Sequence, residues 1–326
     1  MKRLWHIGMA VLLLGAAGCS PGPSTGSGAT AAPSEAKQSE TKAADTKLSV
    51  QDFAGRSVTF PTVPTKIAAL SNGDVDIIYA LGGKVVGRPT SAGPAAVKEA
   101  AGAEQVGSTH GIDLEKIAAL DADVVLGNHP LNTKDIPSVE GIGSKMLLTS
   151  ANSIDDIKKQ ITLFGQLLRK ENKARELNES IDAKLKEISS GSAAPKPRVL
   201  LVYGAPGTYM AALGNSLSGD ILAKAGGENI AADYPKLENY PQYAQLNTEK
   251  IIQSNPQLVL LMSHGNPEKV KDGFLKEMQQ NAAWNSLDAV KHNRVDVLPS
   301  DLFGTNPGTR VIEALDRLKA MLQAVK

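Results

Sequence analysis

The architecture is decided by residues 153–190, which read SIDDIKKQITLFGQLLRKENKARELNESIDAKLKEISS. Apolar residues recur three and four positions apart from Ile154 to Ile188, which is typical of a helix that buries one face. Asn152 or Ser153 can cap its start, and the segment from Gly191 to Pro195 ends it. The pattern therefore predicts one long helix over 153–190, a stiff strut that rises about 1.5 Å per residue.

Short apolar runs alternate with helical segments on both sides of this stretch. On the N-terminal side, a hairpin is predicted from Leu48 to Phe60, with Ala54-Gly55 at its turn, and a buried strand follows at 66–70. Such alternation is typical of parallel βα units. The predicted fold class is α/β: two Rossmann-like lobes with central parallel-type sheets, over 47–152 and 195–326, joined by the long helix.

The two lobes also share a local pattern. When Glu115 is aligned with Glu249, an offset of 249 − 115 = 134, a helix start and the apolar strand after it coincide in both lobes. At this offset Val125 is aligned with Val259. Although βα units often share such patterns, we interpret the match as two lobes of similar topology.

The N-terminus is typical of an exported lipoprotein. Lys2 and Arg3 precede an apolar run that is too short to span a bilayer, and residues 13–19, LLGAAGC, resemble a lipobox with Ala16 where leucine is usual. Residues 1–19 are therefore predicted to be a lipoprotein signal peptide, with Cys19 as the lipid attachment site. Residues 20–46 are predicted to be a flexible tether that holds the protein on the extracytoplasmic face of the cell membrane. An ordinary cleaved signal is the alternative.

Composition excludes several classes of function. Removal of Lys2 and Arg3 leaves 35 − 2 = 33 basic residues against 34 acidic ones, which gives no electrostatic case for nucleic acid binding. Cys19 is the only cysteine, so neither an intramolecular disulfide nor a thiolate metal cluster is possible. From Leu48 onward, the sequence has no Gly-x-Ser-x-Gly elbow and no Walker-type Gly-Lys-Ser/Thr, so an enzyme is not predicted.

Polar and aromatic residues follow the predicted strands of both lobes. In open α/β sheets, ligands bind beyond the carboxyl ends of the strands. Two such edges that face each other would form a cleft. The pocket residues predicted from these loops are Ser71, Asn72, Thr90, Ser91, His110 and His129 in the first lobe and Gly207, Thr208, Tyr209, His264 and Phe303 in the second.

Four segments of the second lobe carry a resemblance to a known family. They are 204–209 (GAPGTY), 219–230 (GDILAKAGGENI), 264–270 (HGNPEKV) and 281–284 (NAAW). From about Leu48 onward, the chain resembles the substrate-binding lipoproteins of ABC importers for iron-siderophores, cobalamin and haem. The His-Gly-x-Pro-Glu segment is the most specific, and it resembles the haem-binding members of the iron-regulated surface determinant system.

This resemblance implies a ligand set for haem iron. The histidine of the His-Gly-x-Pro-Glu segment ligates haem iron in the haem-binding relatives, and it corresponds to His264. The other axial ligand of these relatives is a methionine, and His110 stands at its position in this chain. His129 is the reserve ligand here. Two imidazoles would favour low-spin ferric iron. Phe303 and Tyr209 would cover the porphyrin, while Thr90, Ser91 and the backbone of 204–208 would bind its propionates.

The resemblance also implies partners. Glu115 and Glu249 occupy the positions of the glutamates that dock on arginines of the permease, which acts with an ATPase. A carboxylate in the first turn of a helix is also favourable on electrostatic grounds alone. A ferric siderophore or cobalamin is the alternative cargo. A bare Zn²⁺ or Mn²⁺ site is not expected, because the 5 − 1 = 4 histidines beyond His6 include no His-x-His or His-x-x-x-His pair.

Overall fold

The computed structural model describes residues 47–91, 93–191, 195–205, 207–263 and 266–325. These residues belong to one compact unit. The predicted signal peptide, Cys19 and the tether lie outside the described residues, as do His264 and Gly265. Among the described residues, no helix is both long enough and apolar enough to span a membrane.

The N-terminal lobe contains a hairpin, a parallel sheet and a small two-stranded pair. Its strands are β1 (Leu48–Gln51), β2 (Ser57–Phe60), β3 (Ile67–Ala69), β4 (Gly87–Arg88), β5 (Glu104–Gln105), β6 (Gly107–Ser108), β7 (Gly111–Ile112), β8 (Val124–Asn128) and β9 (Lys145–Thr149). Its helices are α1 (Asn72–Ala80), α2 (Leu114–Ala119) and α3 (Ile136–Gly141).

The sheet of this lobe has the strand order β5-β4-β3-β8-β9, and each neighbouring pair is parallel. Successive residues of a strand face opposite sides of a sheet. Ile67 and Ala69 accordingly pack in one apolar cluster, and Ala68 and Leu70 pack in another. Both faces of the sheet are therefore buried, as is usual for parallel sheets. The predicted hairpin is confirmed, because β1 and β2 pair antiparallel.

The C-terminal lobe is built around a mixed sheet. Its strands are β10 (Arg198–Tyr203), β11 (Met210–Ala212), β12 (Glu228–Asn229), β13 (Tyr243–Gln245), β14 (Leu258–Met262) and β15 (Val295–Val297). Its helices are α6 (Leu217–Ala225), α7 (Thr248–Ser254), α8 (Pro267–Met278), α9 (Asp288–Lys291), α10 (Ser300–Phe303) and α11 (Val311–Gln323).

Part of this sheet departs from the parallel arrangement. The strand order is β13-β11-β10-β14-β15, with β12 beside β10. The pairs of β10 with β14 and of β14 with β15 are parallel, whereas β11 runs antiparallel to both β10 and β13. The cause is the short connection from β10 to β11, which can return the chain but is too short for a crossover helix.

The predicted single helix over 153–190 is wrong in one respect: it is two helices, α4 (Ile154–Leu167) and α5 (Glu171–Ser190). Arg169 lies between them in the left-handed region, with φ 55°. The side chain of Asn178 in α5 donates to the carbonyl of Lys158 in α4 at 3.1 Å, so α5 folds back along α4. The apolar repeat continues across the turn because both helices bury a face in the same core.

This helical hairpin is where the two lobes meet. It packs against β1 and α1 of the first lobe and against α6 and α11 of the second. The amide of Ile154, at the start of α4, donates to a carboxylate oxygen of Asp220 in α6 at 2.8 Å. One apolar cluster runs through all three parts and includes Ile77, Ile161 and Leu222. The α/β class with two joined lobes is thus confirmed.

Candidate functional site

The two candidate histidines of the first lobe lie in adjacent loops. His110 is exposed at the turn between β6 and β7, and His129 directly follows β8. The Asn132 side chain joins these loops, since its Nδ2 donates to the carbonyl oxygen of Thr109 at 3.1 Å. Leu131, next to the cis His129–Pro130 peptide, is 45% exposed. The sequence therefore brings two imidazoles and an apolar side chain to one end of the sheet.

His129 is held more firmly than His110. Its amide donates to the carbonyl of Thr149 at 2.7 Å, and its Nδ1 lies 3.3 Å from Oγ1 of Thr133. If Nδ1 carries the proton toward Thr133, then Nε2 carries the lone pair that a metal ion would need. At the tip between β6 and β7, the backbone amide of His110 donates to Oγ of Ser108 at 3.2 Å.

In the second lobe, the predicted ligand His264 lies outside the described residues. The segments on either side of it are described. Strand β14 ends at Met262, whose carbonyl accepts from the amide of Gly204 at 3.1 Å. Asn266 caps α8 by accepting from the amide of Lys269 at 3.1 Å. The chain on both sides of position 264 therefore belongs to the carboxyl end of β14 and the start of α8, the usual ligand-binding edge of such a sheet.

The donors of Gly207 and Thr208, which are predicted to bind an anionic ligand group, bond within the second lobe. The amide of Gly207 donates to a carboxylate oxygen of Glu277 at 2.9 Å. The hydroxyl of Thr208 donates to the carbonyl of Ala205 at 3.1 Å. Glycine is required at 204, where φ is 138° and a Cβ would lie 2.6 Å from the carbonyl oxygen of Thr208. These contacts shape the loop and engage Gly207 and Thr208 within the lobe.

Tyr209 is also corrected, because it is a core residue and not a pocket residue. It is 9% exposed, and its ring meets that of Phe274 edge-on with centroids 5.1 Å apart. Its hydroxyl donates to the carbonyl of Val270 at 3.4 Å, and burial raises its pKa. Tyr209 directly precedes β11 and shares the inward face of Ala211. The strand register thus turns this ring into the core.

Phe303 does line a pocket, at the junction of the two lobes. The pocket has a volume of about 180 Å³, and its lining includes Phe303, Leu302, Asn306 and Tyr243 of the second lobe and Asn152 between β9 and α4. The ring centroid of Tyr243 lies 5.2 Å from that of Tyr203, and burial raises the pKa of Tyr243 to about 12. Sequence reasoning missed Tyr243, although two tyrosines within residues 240–243 were a signal.

The polar residues predicted for the pocket in the first lobe mostly form hydrogen bonds within that lobe. Ser71 caps α1, and its hydroxyl donates to Asp74 at 2.7 Å. The hydroxyl of Ser91 donates to the carbonyl of Gly93 at 2.9 Å. The hydroxyls of Ser71 and Ser91 thus bond within their own lobe. Thr90 is exposed and accepts from the amide of Gly107 at 3.1 Å, and Asn72 is half-buried at the start of α1.

Glu115 and Glu249 lie in the first turns of α2 and α7 and are both exposed. The caps of these helices match: Asp113 accepts from the amide of Lys116 at 3.1 Å, and Asn247 accepts from the amide of Lys250 at 2.9 Å. Both helices precede the corresponding strands β8 and β14. The two carboxylates therefore occupy equivalent positions in the two lobes.

Two α/β lobes that meet at a helical hairpin are a known arrangement among binding proteins. We call the carboxyl ends of the parallel strands in each lobe its ligand edge. Residues 67–302 match the model of the family described as "Periplasmic binding protein". The chain belongs to this periplasmic binding protein family. It is a binding protein and not an enzyme, and the family resemblance seen in its sequence is confirmed.

Three relatives illustrate the match. The "High-affinity heme uptake system protein IsdE" of Staphylococcus aureus is 30% identical over 268 residues, which are 81% of this chain and 87% of IsdE. The structure of IsdE complexed with heme superposes with a TM-score of 0.68 at 27% identity, covering 79% of this chain and 98% of IsdE. An ABC transporter substrate-binding protein of Listeria monocytogenes gives a TM-score of 0.70 at 31% identity, covering 81% and 100%. The siderophore-binding protein BauB shares the fold, with a TM-score of 0.68 at 19% identity, covering 85% and 99%.

Proposed function

We propose that this protein is the substrate-binding component of an ABC importer and that it captures haem between its lobes. One observation carries the proposal. The loops at the carboxyl edge of the first sheet hold His110 and His129, and the His-Gly-Asn-Pro-Glu segment of His264 connects β14 to α8 at the equivalent edge of the second. The 30% identity to IsdE supports haem as the cargo.

In this proposal, His264 binds one axial position of the iron and a histidine of the first lobe binds the other. An iron ligand must be a neutral imidazole with its lone pair directed at the metal. His110 is the first choice by its position, whereas His129 has the better fixed ring. Leu131 and Phe303 supply apolar side chains that would cover a porphyrin.

Delivery requires a contact with the permease. Glu115 and Glu249 are exposed, belong to different lobes and follow matching caps. Each carboxylate can accept a bidentate pair of hydrogen bonds from an arginine. Two such contacts would orient the protein on a two-subunit channel, where an ATPase drives uptake. The lipid on Cys19 would hold the protein at the membrane.

Haemin titration of the purified protein tests the cargo. Haem bound through His264 should shift and sharpen the Soret band, and His264→Ala should lose most of the affinity. His292→Ala is the matched control: this exposed histidine lies between α9 and β15, where its Nδ1 is 2.9 Å from the carbonyl of Asp288. It should titrate like the parent.

A ferric siderophore is the second candidate, with cobalamin as a further alternative. The aromatic pocket of Phe303 and Tyr243 favours it, because such rings can stack on an aryl chelate. A haemin spectrum that the parent protein leaves unchanged would refute the haem proposal and favour this candidate. Quenching of the intrinsic protein fluorescence by ferric catecholate would then identify the cargo class.

A further inference from the structure

Three polar side chains form a chain of hydrogen bonds from one lobe to the other. Nε2 of Gln160, in α4, donates to Oδ1 of Asp74, in the first turn of α1. Nδ2 of Asn306, in the loop between α10 and α11, donates to Oε1 of Gln160 at 2.8 Å. Asp74 and Gln160 are each 1% exposed. We call Asp74, Gln160 and Asn306 the inter-lobe bridge, since the first lobe, the hairpin and the second lobe each supply one member.

The orientation of both amides in the inter-lobe bridge is determined. Oδ1 of Asn306 accepts from the amide of Gly308 at 2.9 Å, so its Nδ2 must face Gln160. Oε1 of Gln160 accepts that bond, which directs Nε2 to the carboxylate of Asp74. Each group therefore has its complementary partner. A change in the spacing of the lobes would leave buried donors and acceptors unpaired, which is unfavourable.

A second contact fixes the same junction. Oδ2 of Asp76, in α1, accepts from the amide and the hydroxyl of Thr309 at 2.6 and 2.7 Å. Two glycines permit this close approach. A Cβ on Gly73 would lie 2.5 Å from Cγ of Asn306, and one on Gly308 would lie 2.4 Å from Oδ2 of Asp76. The backbone of α1 and that of residues 306–309 are thus in direct contact.

The inter-lobe bridge ends at the ligand edges of both lobes. Asn306 follows Phe303 by three residues and lines the same pocket. Asp74 is bonded to Ser71, which directly follows the end of β3 and Leu70. We propose that the inter-lobe bridge sets the spacing of the two ligand edges, with Gln160 and Asn306 as positioning residues for the cargo. The consequence for the cargo rests on the proposed function, because ligands from two lobes reach one iron only at one spacing.

The spacing can be measured without any cargo. Spin labels are attached at Ser138→Cys in α3 and Asp272→Cys in α8, both exposed, in a Cys19→Ala chain. Pulsed dipolar spectroscopy of this parent should give one narrow distance distribution. In Asn306→Ala, the distance distribution between the two labels should no longer be a single narrow peak. Asn306→Asp keeps the acceptor for Gly308 but sets a carboxylate oxygen against Oε1 of Gln160 in place of the amide donor, and it should have the same effect.

Asn178→Ala is the matched control. Nδ2 of Asn178 donates to the carbonyl of Lys158 and to Oγ1 of Thr162, so it bonds within the hairpin and not between lobes. This variant should keep the narrow distance. Parent-like distributions in both Asn306 variants would overturn the proposal, and so would an equal loss in Asn178→Ala. If Asn306→Ala does not fold, as judged by circular dichroism, then Asn306→Asp decides.

Haemin supplies a second measurement. Asn306→Asp should still bind haemin through the second lobe but should lose the low-spin ferric spectrum, which Asn178→Ala should retain. A low-spin spectrum in Asn306→Asp would contradict the positioning role. If the parent does not bind haemin, the proposed function fails, whereas the distance measurement still decides whether the inter-lobe bridge sets the spacing.

Discussion

At the scale of single residues, the pKa of the Asp74 carboxyl group lies far from its ordinary value. Burial raises its pKa from 3.8 to about 7, although hydrogen bonds from Ser71, Thr149 and Gln160 work in the opposite direction. A raised pKa means that the folded protein binds the proton more tightly than the unfolded chain does. The resulting contribution to stability is fully present below about pH 4 and is lost as the pH rises through about 7.

Asp74→Asn should remove this pH dependence. The new amide can still accept from Gln160. It can also donate to the hydroxyl of Ser71, which in the parent donates to the carboxylate. Relative to the parent, the free energy of unfolding of the variant should rise between pH 4 and pH 8 by a few kcal/mol, at most about 4. Urea denaturation across this range measures it. Asp121→Asn, at a side chain that is 90% exposed, is the control, and parallel pH profiles for parent and Asp74→Asn would contradict the prediction.

At the scale of elements, the helical hairpin depends on one small residue. A Cβ on Gly165 in α4 would lie 2.5 Å from Cβ of Ala174 in α5. Gly165→Ala should therefore destabilise the protein by about 1–3 kcal/mol, despite the better helix propensity of alanine. Adding Ala174→Gly should recover part of this loss. Gly141→Ala in α3, where nothing lies within 4 Å of the new Cβ, is the matched control in thermal unfolding. A Gly165→Ala protein more stable than its parent would rule out the close contact.

Much of the architecture could be predicted from the sequence, because it depends on local patterns. The apolar periodicity identified both lobes and the helical character of residues 153–190, and the caps at Asp113 and Asn247 form as such residues usually do. The break at Arg169 was not predictable, since neither glycine nor proline marks it. Tyr209 was misassigned because one residue of strand register decides which face a side chain takes.

Several hydroxyls predicted at the site share one feature that the sequence does not reveal. Ser71, Ser91 and Thr208 have hydroxyls suited to a ligand, but each donates to a nearby group of its own lobe. Such local bonds compete with ligand contacts, and composition alone does not reveal them. The inter-lobe bridge was missed for the converse reason, because Gln160 and Asn306 are 146 positions apart and meet only in the fold.

At the scale of the whole molecule, docking and cargo binding should separate. Changing Glu115 and Glu249 together to Ala should abolish haem-dependent growth and leave haemin titration unchanged, because both carboxylates are exposed on first helical turns. Glu171→Ala with Glu179→Ala, two exposed residues of α5, is the matched control and should support growth. Loss of haemin binding in the Glu115/Glu249 variant would instead assign these residues to the pocket or the fold.

The lipid anchor is a separate property of the whole chain. If Cys19 carries the lipid, then Cys19→Ala should move the protein from the membrane fraction to the soluble extracytoplasmic fraction, and haemin titration of the released protein should match the parent. Fractionation followed by immunoblotting measures this. A Cys19→Ala protein that remains in the membrane fraction would contradict the lipoprotein assignment.

The central claim is that both lobes hold the iron of one haem. The most direct measurement is the electron paramagnetic resonance spectrum of the ferric haem complex, in the parent and in His110→Ala and His129→Ala. The parent should be low-spin, because two imidazoles bind the iron, and one of the two variants should become high-spin. Adding free imidazole to that variant should restore the low-spin signal. A low-spin spectrum that neither substitution changes would contradict ligation by a histidine of the first lobe.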